Sequence, residues 1–229
     1  MSISAPSRLG RLLGYDGVIA TLLLGAFQFF LVSLSFIACL TPALAFQALV
    51  GWQSTHLALW LGAASLSTAA PALQALVTAA APLLRGDRAA GAFWRGFADA
   101  VRTRRATALL PSAAALVLGY DVALLGADGA VLLGATAIAA LVSAVVIATS
   151  FLDSPLRAGA LLIAAVRIVM LRPHLALAWL LLALLAILAT TLPVIGAVAW
   201  LSAPALAAVA ADICNRSLGF ASARERVGA

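Results

Sequence analysis

Residues 85–105 read RGDRAAGAFWRGFADAVRTRR, and they hold six of the fourteen arginines in a 229-residue chain that contains no lysine. Long apolar stretches flank this segment, His56 to Leu84 before it and Thr107 to Leu125 after it. Each is of a length to cross a hydrocarbon core, which needs on the order of 20 helical residues. Outward from there, Arg8 and Arg11 precede the first apolar stretch, Arg157, Arg167 and Arg172 separate the fourth from the fifth, and Arg216, Arg224 and Arg226 follow the last. The intervening gaps have no arginine. Short Arg-rich loops stay on the cytoplasmic side, so both termini and two loops are expected there, with an even number of spans between them.

Composition points the same way. With 65% apolar and 10% charged residues and a mean hydropathy above +1, the chain has too little polar surface for a water-soluble globule of this size. Lipid must cover most of it. The net charge of +6 could invite nucleic acid, but the arginines are placed by topology, so anionic lipid head groups are the expected partner and nucleic acid is not. Abundant Ala, Arg and Gly without Lys match the codon bias of a GC-rich bacterial genome, and the cytoplasmic (inner) membrane is the expected location.

The expected fold is all-α, a polytopic transmembrane bundle in a single domain. Its six spans fall at Gly17 to Leu40, His56 to Leu84, Thr107 to Leu125, Val131 to Leu152, Leu175 to Thr191 and Val194 to Ala211. The first run exceeds the roughly 7 to 15 residues of a secretory apolar region, which favours a retained span over a cleaved leader. Thr41-Pro42 is expected to break or kink it. The uncharged piece Ala43 to Thr55, with Gln47, Trp52, Gln53 and Ser54, fits an outer loop, an interfacial helix or a re-entrant piece equally. Asp121, Asp128 and Gly129 mark an outer turn, and Thr191-Leu192-Pro193 marks a tighter one.

Two of the arginine-bearing loops are amphipathic. Ala90, Phe93, Trp94, Phe97 and Val101 fall on one helical face, opposite Arg88, Arg95, Asp99 and Arg102, as in a helix lying along the membrane surface. Leu156 to Arg172 places Leu162, Ile163, Val166, Val169 and Met170 against Arg157, Arg167 and Arg172. An amphipathic helix, a basic residue and a helical hairpin thus occur twice, with Arg88 matching Arg157. A parallel repeat has this order, and Ala- and Leu-rich low complexity can imitate it.

Few residues carry evident chemistry. Asp16, Asp121, Asp128, Asp153 and Asp212 all fall at span borders or in loops, where helix capping and solvation account for them. His56 and His174 sit at opposite faces without partners at metal-ligand spacing. Cys39 and Cys214 are a membrane thickness apart. No phosphate loop, paired carboxylates or nucleophile elbow occurs, so neither a catalytic residue, a cofactor nor a metal is expected. Gln28, Gln47, Thr68 and Gln74, with Gln53, form a weakly polar strip that could line a cavity for a neutral solute or tie helices together.

One region carries a family pattern. Ser65-Leu66-Ser67-Thr68-Ala69-Ala70-Pro71-Ala72-Leu73-Gln74-Ala75-Leu76-Val77, then Arg85-Gly86-Asp87-Arg88, then Phe93-Trp94-Arg95-Gly96-Phe97 through Arg102 resembles the YesL-like bacterial membrane proteins. Thr68, Pro71, Ala72, Ala75, Leu76, Phe93, Phe97 and Arg102 carry the match; Ser65, Ala70, Val77 and Val101 depart from it. The resemblance implies an inner-membrane protein without established catalytic residues, associated with carbohydrate uptake or breakdown. The expectation is a non-enzymatic accessory to a carbohydrate uptake system that contacts transporter subunits through Phe93, Trp94, Arg95, Phe97 and Arg102. A small-solute transporter or permease subunit is the alternative.

Overall fold

Pro42 does not end the first helix. In the computed structural model, which describes residues 18–152, 158–193 and 196–217, α1 runs Val18–Leu49 with Pro42 inside it. Proline has no N–H to give the Ala38 carbonyl four residues back. The carbonyls on either side of that one take hydroxyl donors: Thr41 Oγ1 donates to Ile37 at 3.3 Å, and Thr68 Oγ1, from the second span, donates to Cys39 at 2.6 Å. Such hydroxyls let a membrane helix tolerate proline. Residues 43–49 therefore continue the helix, where the sequence left a loop, an interfacial helix and a re-entrant piece open. The expectations placed on Arg8, Arg11, Asp16, Asp153, Arg157, Arg224 and Arg226 lie outside the described residues.

The second span does break. α2 (His56–Ser65) passes through a 3-10 turn (Leu66–Thr68) into α3 (Ala69–Arg85). Pro71 removes the hydrogen bond to the Ser67 carbonyl and crowds it, and Ser65 Oγ donates back to the Gly62 carbonyl at 2.7 Å. Thr55 caps the start of α2, its hydroxyl accepting from the Ala58 N–H. α3 ends at Gly86 in the left-handed region (φ 74°), which brings the Asp87 N–H to the Pro82 carbonyl, a glycine C-cap.

The chain continues as α4 (Ala89–Thr103), a single turn α5 (Arg105–Ala108), α6 (Leu110–Leu125), α7 (Gly129–Phe151), α8 (Ala158–Leu171), α9 (Pro173–Thr191) and α10 (Gly196–Ser217). No strand occurs among the described residues. Among the described residues, six segments are long and apolar enough to cross a membrane: Leu22–Leu49, His56–Arg85, Arg105–Leu125, Gly129–Phe151, Pro173–Thr191 and Gly196–Ser217. The protein is an all-α, multi-pass membrane bundle. α10 continues past its expected end at Ala211 to Ser217, and in this added stretch Asp212 pairs with Arg216 one turn on, at 2.8 Å, an i,i+4 pair of the kind that favours a helix modestly. The start of α10 lies so near the end of α9 that a Cβ on Gly196 would lie 2.6 Å from the Thr190 carbonyl oxygen.

α1, α2, α6, α7, α9 and α10 form a ring in which each packs on the next and α10 closes on α1. Below the 3-10 break the chain leaves this ring, and α3 packs against α1, α4, α7 and α10 together. Ala72, Ala75, Ala79 and Ala80 of α3 have no exposed surface, as expected where small residues let helices approach closely in lipid. Buried side chains gather toward the arginine-bearing end. One cluster joins Val32, Leu76, Leu83, Phe93 and Val209; another joins Val145, Phe151, Val169, Trp179 and Ala211. Burial on α7 is confined to Ala144 through Phe151, on α9 to Leu175, Ala176 and Trp179, and α6 has no buried residue.

Candidate functional site

The aromatic face expected to dip into lipid is divided on α4. Phe93 is 0% exposed inside the first core cluster, Phe97 is partly buried against that cluster, and Trp94 is 49% exposed. The Trp94 ring lies edge-on to both, with centroids at 5.6 and 6.0 Å. Gly96 permits this docking: a Cβ there would come within 3.2 Å of Thr78 on α3. Buried Ala89 and Ala100 fix the two ends of the helix. Arg95 and Arg102 remain exposed. α4 is therefore held on protein along one side, which corrects the expectation that all its large apolar residues meet lipid.

α8 departs from expectation in the same manner. Leu161, Ala165 and Val169 are buried, whereas Ile163, Val166 and Met170 are exposed, so the expected apolar face is split between protein and surroundings. α4 and α8 do share their endings. Arg104 is the N-cap of α5 and Arg172 that of α9, and buried Phe93 and Leu161 stand the same distance in sequence before these arginines.

The polar strip of the first two spans does not converge. Gln28 Oε1 accepts the Ala89 N–H at 3.1 Å, satisfying one of the donors that a helix start leaves open. Thr68 ties the broken span to α1 as described. Gln47 is exposed. Gln74 faces a gap of about 10 Å³ shared with Thr107, Thr149 and Ser150. Beside that gap Arg104 Nη1 donates to the Thr149 carbonyl at 3.0 Å, placing a cation at the negative end of α7 where carbonyls lack helical donors. In the sequence Arg104 was one more topological charge.

A far larger cavity than that gap lies elsewhere, inside the ring. It holds about 1040 Å³ and is walled by Phe36 of α1, Leu59 of α2, Leu73 of α3, Leu118 of α6, Val142 of α7 and Ile187 of α9, among others. Its rim carries Trp52, Gln53, Ser54, Gly126 and Ala127, from the loops at the end opposite the arginines. Trp52 packs edge-on to Phe46 at 5.2 Å and closely over Gly62, where a Cβ would lie 2.8 Å from its ring. His56 Nδ1 and Tyr120 Oη, 2.8 Å apart, join the start of α2 to the end of α6. None of Gln28, Gln47, Thr68 and Gln74 lines this cavity. The sequence offered no sign of it, because an apolar cavity wall, a packed core and a lipid-facing surface use the same residues.

No family profile, curated protein or solved structure matches the chain.

Proposed function

We propose that the chain is a non-enzymatic accessory protein of the bacterial cytoplasmic membrane, with both termini inside, working beside a carbohydrate uptake system and touching transporter subunits through α4. The observation that supports this is the division of α4 into a locked and a free side. Phe93 and Ala100 hold it in the core, while Trp94, Arg95 and Arg102 are exposed. A rigid helix offering an indole and two guanidinium groups suits a protein contact, since Trp and Arg are enriched among residues that dominate binding energy. The alternation of arginines supports the orientation, and the YesL-like resemblance, densest on α3 and α4, supports the carbohydrate setting.

A small-solute permease is the second reading, favoured by the cavity within the ring. Its carbon walls suit a carbohydrate poorly, because sugar hydroxyls buried there would lose their hydrogen bonds. The test compares two double variants at equal membrane levels, with growth on a panel of single carbohydrates as readout. Arg95→Gln with Arg102→Gln is expected to impair growth, and Gln53→Ala with Ser54→Ala, two polar side chains on the cavity lining, to leave it normal. A defect confined to the cavity pair would overturn the accessory reading in favour of the permease.

A further inference from the structure

The cavity has a shape and a chemistry of its own. Along α6 its wall is one continuous stripe, Pro111, Ala115, Leu118 and Val122, spaced as one face of a helix. This explains why α6 has no buried residue: one side looks into the cavity and the other outward. At about 1.5 Å per residue the stripe is on the order of 16 Å long, a depth that suits an extended hydrocarbon chain. The volume of about 1040 Å³ is at the upper end of the range of about 300–1,000 Å³ typical of small-molecule pockets.

Below the rim there is almost nothing for a polar solute to bond. The polar side-chain groups on the lining are the Trp52 indole N–H, Gln53, Ser54 and Ser143. Ser143 gives its hydroxyl to the Ala139 carbonyl at 2.8 Å, and Gln53 gives its amide to the Val50 carbonyl at 3.1 Å. The charged side chains nearest the rim in sequence are acidic. Asp121 and Asp128 are exposed and adjoin the lining residues Val122 and Ala127 along the chain, and the connecting segments at this end of the bundle contain no arginine or lysine. An anionic head group would meet like charge there, and an ammonium group opposite charge.

We propose that the cavity holds an acyl chain of a phospholipid from the adjoining leaflet, tail along α6 and an ammonium-bearing head group at the Asp121 and Asp128 rim. This site is independent of the uptake reading and of α4. Phosphatidylethanolamine and phosphatidylglycerol with identical chains distinguish the head groups, using the full-length protein in detergent and native mass spectrometry to count retained lipids. The wild type is expected to retain one phosphatidylethanolamine with at least about tenfold preference over phosphatidylglycerol. Ala115→Phe with Ala139→Phe, which fills the cavity from α6 and α7, should abolish retention. Ala137→Phe, on an exposed part of α7 outside the lining, should preserve it. Equal retention by the filled variant, equal retention of phosphatidylglycerol, or no retained lipid in the wild type would each overturn the proposal. Should the filled variant not fold, the wild type labelled with a diazirine-bearing phosphatidylethanolamine decides. Adducts mapping to 111–123 and 139–147 support the site, and adducts confined to exposed Leu132, Leu133 and Ile163 refute it.

Discussion

Trp179 and Asn215 are 2% and 3% exposed, and the indole Nε1–H donates to the Asn215 side-chain oxygen at 2.9 Å. A buried indole needs such an acceptor, and lipid supplies no water to stand in for it. The Trp179 ring also stacks on Phe151 at 5.4 Å, so this one contact joins α7, α9 and α10. Ser33 plays a related part on the other side of α10, accepting the Ala205 N–H at 3.2 Å just after Pro204. Neither pairing was legible in the sequence, since an asparagine or serine near a span is as consistent with a solvated border or its own helix as with a neighbour. We expect Asn215→Leu to lower stability by about 1 kcal/mol, between the average of about 0.6 and the largest value of about 1.7 found for hydrogen bonds between membrane helices. The check is the unfolding midpoint in detergent, and an unchanged midpoint would remove the bond from the account of stability.

At the scale of the element, α4 shows what periodicity can and cannot say. The amphipathic period of residues 89–103 was plain from the sequence, and the helix forms there. Which of its apolar residues meet protein was not, because protein-facing and lipid-facing sides of a membrane helix are equally apolar. Neighbouring Phe93 and Trp94 therefore looked alike and have different surroundings. Phe93→Ala should cost about 3–5 kcal/mol, as for a fully buried aromatic, and Trp94→Ala distinctly less. Thermal unfolding of the two variants in detergent measures this; equal losses, or a larger loss for Trp94, would return α4 to the membrane surface. The same ambiguity divided the face expected on α8. The proline-bearing helices differ for a local reason: hydroxyls from Thr41 and Thr68 support α1 through Pro42, whereas Pro71, in the first turn of α3, follows directly on a 3-10 turn.

For the whole molecule, the alternation of arginine-bearing and arginine-free ends yields a topology that chemistry can check. With Cys39 and Cys214 replaced, an impermeant thiol reagent added outside intact cells should label Asp128→Cys and leave Asp99→Cys untouched; the reverse pattern would invert the orientation. Six spans and their approximate positions followed from the sequence alone, because the bilayer fixes how long an apolar helix must be and the charges between such helices are free to declare a side. The helical class of the fold followed as well, since a spanning segment must satisfy its backbone internally. Only the tertiary structure decided that six helices close into a ring, that α3 leaves the ring below the break in the second span, and that a cavity runs along α6 with its rim at the end opposite the arginines. Those outcomes depend on which apolar side chains meet one another, and hydrophobicity, having no direction, does not distinguish a neighbouring helix from lipid or from a cavity.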